Sequence, residues 1–352
     1  MKKVIIIAIA VMAVLLASCN IDATDGIYSE AASSTESTAV TLRTYLGQDN
    51  TGRYHYLTDE GIFLIGKTDA LFANTNDSII RSACLLDDGS LLILRQSTDI
   101  TKGSTLTYNE YENGSYKDAV VINGNYADLL TNGLFYNSIG VYRYSGSGSE
   151  ATALEGLSEL KDVKAVVTCD YAFFEVKDSN GDYRAFVADS DGTVVSGLPC
   201  TSTDPDNPML QNPTLVGGFQ TVDDQNFLVL YRRPTDSKLA VFRMSNTGVE
   251  TKPAITPDFT GTEACSFIYD DYVYVKDTTS FKKFKADGTG EAEQVTTGFA
   301  TNLRTAEITN ILPAKDESGQ EIAGVFIAGT KSSMLYRIDM IANESTQIKN
   351  SN

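Results

Sequence analysis

The chain has 352 residues, with 46 acidic against 28 basic side chains and a net charge of −18. A molecule this acidic repels phosphate backbones and anionic bilayer surfaces, so no nucleic-acid partner is expected. Hydrophobic residues still make up 42% of it, ample core material, which sets aside a disordered chain.

The first twenty residues read MKKVIIIAIAVMAVLLASCN. The apolar run from Val4 to Ala17 falls short of the roughly 20 residues that span hydrocarbon as a helix. A positive start, an apolar middle and small residues before a break form the layout of a removable export signal. The ending Leu16-Ala17-Ser18-Cys19 resembles the lipobox of bacterial lipoproteins. That resemblance covers residues 1–19 and implies a diacylglycerol on the Cys19 thiol, cleavage just before it and acylation of the new amino terminus. Each buried methylene of such an anchor contributes about 0.8 kcal/mol, so two or three acyl chains hold firmly where one holds weakly. In the enteric version of that family an aspartate after the cysteine favours retention in the inner membrane. Asn20 would then permit onward transport, and the choice between the cell membrane and the outer membrane stays open, as does periplasmic against surface exposure.

Residues 19–39 are mostly small or hydroxyl-bearing and predict a flexible tether, about 25 Å in mean reach. From residue 40 to 352, apolar runs of four to six residues alternate with turn signals. Among the runs are GIFLI (61–65), SLLIL (90–94), YAFFEV (171–176), NFLVLY (226–231), YVYVK (272–276) and AGVFIA (323–328). Between them stand Asp88-Gly89, Asn113-Gly114, Asn180-Gly181, Asp191-Gly192 and Asp287-Gly288, dipeptides that supply positive φ in hairpin turns. Only LEGLSELKDV (154–163) offers a short helical pattern. The chain reads as all-β.

The runs recur as units. SACLLDDGSLLILRQ (82–96), KAVVTCDYAFFEVKD (164–178), GGFQTVDDQNFLVLYRR (217–233) and EACSFIYDDYVYVKD (263–277) share an apolar stretch, an acidic turn and a second strand. A third strand and a weaker fourth follow. Four antiparallel strands per repeat at this period predict a β-propeller. Starts near 54, 83, 126, 164, 216, 263 and 306 give seven blades of about 44 residues, with six or eight as the alternatives. AVTLRTYL (39–46) is a candidate for the strand that closes the ring by joining the last blade. With no tryptophan, the Trp-Asp repeat family is unsupported by its own marker. In layout alone, a lipid-anchored propeller of seven or eight blades is similar to the outer-membrane assembly scaffold lipoproteins of Gram-negative bacteria.

Cys84, Cys169 and Cys265 fall at equivalent places in different units, too far apart for disulfides, and read as small buried residues; Cys200 lies in a loop. His55, flanked by Tyr54 and Tyr56, is the only histidine and reads as a packing or surface residue, so no catalytic residue is expected. DSNGDY (178–183) and DSDGT (189–193) carry oxygen ligands around a glycine, but hairpin turns need the same residues, and no metal or cofactor is expected. The pairs Asp87-Asp88, Asp223-Asp224 and Asp270-Asp271 read as a turn preference repeated through the blades.

Binding surfaces remain. PCTSTDPDNPMLQNPT (199–214) is the longest irregular connection. YNEYENGSY (108–116) and YDDYVY (269–274) concentrate tyrosine, which suits interfaces, although Tyr272 and Tyr274 read as seam fillers. The functional expectation is an exported, lipid-anchored envelope scaffold that binds a protein partner through a disk face. A binder of carbohydrate or another small molecule in the central channel is the alternative, and an envelope hydrolase is third. Aromatics with carboxylates facing the channel would favour the small ligand; an apolar patch on one face would favour the scaffold.

Overall fold

The apolar runs become the inner strands of seven four-stranded antiparallel sheets. In the computed structural model, residues 41–130, 133–158, 265–287, 289–316 and 318–348 are described without interruption. Between 159 and 264 it describes the strands 161–167, 171–177, 183–189, 194–199, 214–220, 227–232, 239–245 and 248–249. The signal, Cys19 and the tether all lie outside the described residues.

Blade 1 runs Leu42–Gln48, Tyr54–Thr58, Gly61–Leu64 and Phe72–Ala73. Blade 2 runs Ser78–Leu85, Leu91–Ser97, Ser104–Asn109 and Val120–Ile122, with a small hairpin, Tyr111–Glu112 and Ser115–Tyr116, inserted before its last strand. Blade 3 has Asp128–Leu129, Leu134–Asn137, Gly140–Tyr144 and Ala151–Ser158. Blades 4 and 5 start at Lys161–Val167 and Thr214–Gln220. Blade 6 has Ser266–Tyr269, Tyr272–Lys276, Phe281–Lys285 and Glu293–Val295. A four-residue helix, Ala300–Leu303, leads to blade 7 with Ile308–Lys315, Glu321–Thr330, Leu335–Asp339 and Glu344–Ile348.

Six unit starts lie within five residues of those expected from the sequence; the first lies earlier, at Leu42. The described part of LEGLSELKDV is not helical: 154–158 lie in the strand Ala151–Ser158 and 161–163 in the strand Lys161–Val167. A short amphipathic period yields here to pairing with Gly140–Tyr144 on one side and Tyr171–Lys177 on the other.

Second strands read as solid apolar runs because each is packed on both faces. Leu91, Leu92, Ile93 and Leu94 are all buried, their alternate side chains dividing between the seams on either side. Each fully buried leucine, valine or phenylalanine contributes about 1.5–3 kcal/mol, so the seams carry most of the fold's stability. Leu57, Ile80 and Ile93 join blades 1 and 2; Leu106, Tyr108 and Phe135 join 2 and 3; Val141, Phe174 and Ala188 join 3 and 4. Phe173 meets Phe227 edge-on at 5.8 Å between blades 4 and 5. Leu228, Val241 and Val273 join 5 and 6, and Phe267, Tyr274 and Phe326 join 6 and 7. Tyr272 and Tyr274 thus pack at that last seam, as their spacing suggested.

Blade 7 meets blade 1 through Leu42, Tyr45, Ala314 and Ile327, and the ring is closed. The closure differs from the expected shared sheet. Leu42–Gln48 pairs with Tyr54–Thr58 across a tight turn and founds its own blade, because a local hairpin forms at far lower entropic cost than a pairing some 300 residues away. Asn310 in the first strand of blade 7 then clamps the backbone of Tyr45. Its Oδ1 accepts from Tyr45 N at 2.9 Å, and its Nδ2 donates to Tyr45 O at 2.7 Å.

Tyr45 itself is fully buried, and its hydroxyl has no hydrogen-bond partner among the described residues. Burial holds its phenol well above the usual range. An orphaned buried hydroxyl carries a desolvation cost with no return. Tyr45→Phe is therefore expected to raise stability by about 1 kcal/mol. A thermal melt checks this, and a lower melting temperature would show that the hydroxyl has a partner after all.

Candidate functional site

On one side of the ring, four connections between first and second strands, DNTGR (49–53), LDDGS (86–90), LTNGL (130–134) and DESGQ (316–320), are closed by the same pair of backbone hydrogen bonds. In each, the N–H of the first residue donates to the carbonyl of the fifth, and the N–H of the fourth to the carbonyl of the first. The fourth residue is always glycine, with φ of +82, +86, +79 and +80° at Gly52, Gly89, Gly133 and Gly319. That left-handed position admits few other residues. In blades 1 and 7 an aspartate opens the turn and secures it identically. Asp49 Oδ1 accepts from Thr51 N, Thr51 Oγ1 and Arg53 N, and Asp316 Oδ1 from Ser318 N, Ser318 Oγ and Gln320 N. The pattern Asp-x-Ser/Thr-Gly is legible in the sequence as the signal of these turns.

The turns of blades 7, 1 and 2, with the end of blade 3, surround a cavity of about 800 Å³. Blade 1 contributes Gln48 and Asn50, blade 2 contributes Asp87 and Asp88, and blade 7 contributes Lys315, Gln320 and Glu321. Blade 3 adds Arg143 and Tyr144, and Tyr108 stands behind Tyr144 with ring centroids 5.0 Å apart. Tyr144 is fixed by donating to Gly148 O at 2.9 Å. Lys315 Nζ reaches over blade 1 to Asp87 Oδ1 at 2.8 Å. Asp88 meanwhile accepts from Ser90 N at 2.8 Å within its turn. The pair Asp87-Asp88 therefore combines the turn role expected of it with a cross-blade ion pair that the sequence did not signal. Asp270-Asp271 forms the tight turn of blade 6 with φ of +49 and +61°, as expected.

Beside this mouth lies a buried polar cluster. His55 is fully buried in the second strand of blade 1. Its Nδ1 lies 3.2 Å from Arg53 O, which fixes Nδ1–H as a donor, and its Nε2 faces Tyr116 Oη at 3.4 Å and Asp49 Oδ2 at 3.9 Å. Burial lowers its pKa to about 4, against the opposing pull of the Asp49 carboxylate. Burial also works to raise Asp49, but the Thr51 hydroxyl and the backbone and guanidinium N–H groups of Arg53 prevail and lower it. Arg53 Nε donates to Asp49 Oδ2 at 2.8 Å, and its guanidinium lies over the Tyr111 ring at 4.8 Å. Tyr116 Oη donates to Gly89 O at 3.1 Å, and Tyr111 N to Ser90 Oγ at 3.1 Å. The inserted hairpin 111–116, whose Asn113-Gly114 turn has φ of +52 and +85°, therefore straps the turn of blade 1 to that of blade 2. His55 is a buried packing residue, one of the two roles its context suggested.

Cys84 is buried in the first strand of blade 2, and burial pushes its thiol up to about 12. Cys265 stands half-buried just before Ser266–Tyr269, and neither cysteine is in a disulfide. Cys169, Cys200, the connection 200–213, Asp223-Asp224 and the turns of the two candidate calcium stretches lie outside the described residues. Among the described residues no three histidine, cysteine, aspartate or glutamate side chains converge as metal ligands, and no helix is long and apolar enough to cross a membrane.

No protein-family model matches the chain, and no curated protein does. Solved structures do. A prolyl endopeptidase superposes with a TM-score of 0.51 at 11% identity, over 89% of this chain and 49% of its own. A puromycin hydrolase S511A mutant gives 0.51 at 8%, over 88% and 53%. The GH74 enzyme of Niastella koreensis gives 0.50 at 11%, over 88% and 54%. The likeness is one of fold. The chain spans about half the length of these enzymes.

Proposed function

We propose that the protein is a lipid-anchored, extracytoplasmic binding protein that takes a small polar ligand, without transforming it, at the mouth formed by blades 7, 1, 2 and 3. One observation carries the reading: a cavity of about 800 Å³, within the usual range for ligand sites, into which amides, carboxylates, cations and tyrosines from four blades converge. Aromatics with carboxylates were the arrangement that would favour a small ligand over disk-face scaffolding. Among the described residues the three most exposed large apolar side chains, Ile100, Ile139 and Ile341, stand in turns of three different blades, while Ile79, Val120 and Val121 lie on strands of blade 2. The anchor rests on Leu16-Ala17-Ser18-Cys19.

Two measurements test the two halves. An alkyne fatty acid fed to expressing cells should label the protein and lose its target in Cys19→Ala, which should also leave the membrane fraction; labelling that survives in Cys19→Ala refutes the anchor. For the mouth, native mass spectrometry of the detergent-solubilised chain against polar metabolites and short oligosaccharides should find a ligand whose occupancy disappears in Ser145→Trp, an exposed position on the rim. A ligand indifferent to that substitution would place binding elsewhere.

A further inference from the structure

Resting on that reading of the mouth, we infer that its ligand is a neutral oligosaccharide, held by hydrogen bonds to paired hydroxyls with one sugar face against Tyr144. The charge balance of the wall comes first. Asp87, Asp88 and Glu321 face Lys315 and Arg143, and the nearest opposite charges, Lys315 and Asp87, already meet at 2.8 Å. A charged ligand needs an excess of the opposite sign to offset its lost hydration, and this wall has none of consequence. A neutral ligand needs no such excess.

The kind of polar group comes second. Gln48, Asn50 and Gln320 each present both an amide donor and a carbonyl acceptor, and Asp88 and Glu321 present acceptors beside the donors of Arg143. The amides of Gln48, Asn50 and Gln320 are planar groups with two adjacent polar atoms, and they carry the assignment of the ligand. A sugar's neighbouring hydroxyls, each both donor and acceptor, match them two by two, whereas a ligand of one polarity would leave half of them unpaired and desolvated. Apolar ligands are disfavoured for the same reason.

The third feature is the aromatic wall. Tyr144 is half-buried, backed by the buried ring of Tyr108 and tied at its hydroxyl to Gly148. It therefore offers a rigid face for the C–H side of a pyranose at little entropic cost. The strap 111–116 adds rigidity from outside, because it holds the two turns that carry Asn50, Asp87 and Asp88. Such preorganisation favours tight binding of weakly interacting hydroxyls.

Isothermal titration of the detergent-solubilised full chain tests this, with neutral hexose and pentose oligosaccharides and oligogalacturonides of matched length as probes. The expected result is binding of at least one neutral oligosaccharide that changes little between about 0.02 M and about 0.3 M salt. Tyr144→Ala and Gln320→Ala should each weaken it about tenfold or more. Gln320→Ala should do so with an unchanged melting temperature, and Tyr144→Ala with a lower one but a native far-ultraviolet spectrum at the titration temperature. Selective, salt-sensitive binding of oligogalacturonides that Tyr144→Ala and Gln320→Ala weaken would overturn the ligand class and leave the mouth reading standing. A neutral sugar bound equally by both variants would overturn the assignment to this wall. No binding of either probe set, with a polar metabolite instead lost on Ser145→Trp, would also overturn the class alone.

Discussion

Asn310→Leu is expected to lower stability by about 4 kcal/mol. The side chain is buried, and both halves of its amide are engaged by the backbone of Tyr45, at 2.9 and 2.7 Å across 265 residues of sequence. Leucine is close in volume, so packing is conserved and the polar loss is isolated. It would leave one buried N–H and one buried C=O without partners, at about 1–3 kcal/mol each. No strand is shared between blades 7 and 1, so these two bonds, the donation from Leu42 N to Lys331 O at 3.2 Å and the apolar seam around Leu42 and Ile327 hold the ring closed there. Asn310→Asp keeps an acceptor for Tyr45 N but sets a buried, unpaired carboxylate oxygen against Tyr45 O. At neutral pH its loss should be at least as large as that of Asn310→Leu, easing in acid where the protonated carboxyl can donate. Urea unfolding of the three proteins measures the series. If Asn310→Leu costs under about 1 kcal/mol, the apolar seam and the Leu42–Lys331 backbone bond suffice to close the ring.

Much of this architecture was legible because a propeller repeats its local physics. The solid apolar run of a second strand, the glycine that only a left-handed turn position requires and a polar break recur closely enough to place six of seven blade starts. The first blade was misplaced for a reason of the same kind. LRTYLGQ has the look of a strand but lacks the apolar density of the runs that mark other blades, so the count began at its partner, YHYLT. Blade 3 is weakly marked in the sequence because its first strand is only Asp128–Leu129. The mouth was not legible. Gln48, Asp87, Arg143 and Lys315 come from four blades, and nothing in the sequence near Lys315 announces Asp87, 228 residues away. Ring topology brings the turns together, and topology is not a local property. His55 falls between these cases. Its tyrosine neighbours suggested packing, but the Asp49–Arg53 frame around it follows from a turn whose Asp-x-Thr-Gly signal went unread.

That frame makes the fold sensitive to acid, with a sign that follows from the imidazole. In the unfolded chain a histidine titrates near 6.5, whereas burial holds His55 at about 4. Between those values the unfolded chain binds more protons than the folded one, so stability rises with pH through that window and is complete above it. Lowering the pH from about 7.5 to about 4 is expected to remove up to about 3 kcal/mol through this one group. Asp49 acts in the same direction further down. Its folded value is lowered, so its contribution is present above the ordinary carboxylate range and is lost as pH falls through the lowered value. The chain's net charge of −18 works the other way, since protonating surface carboxylates relieves repulsion, and wild type alone cannot separate the two. His55→Gln does so. Glutamine can still donate to Arg53 O but does not titrate, and the surface charge is unchanged. The difference in urea midpoint between wild type and His55→Gln should therefore shrink or reverse from pH 7.5 to pH 4.5. A difference independent of pH would mean that the imidazole titrates alike in the folded and unfolded chains. One that grows as pH falls would mean that the ring is protonated in the folded protein, with Asp49 as its counter-ion. The strap would then tighten in acid. Its Tyr116 hydroxyl would in that event be accepting from His55 as well as donating to Gly89 O, holding the turns of blades 1 and 2 together more firmly as the pH falls.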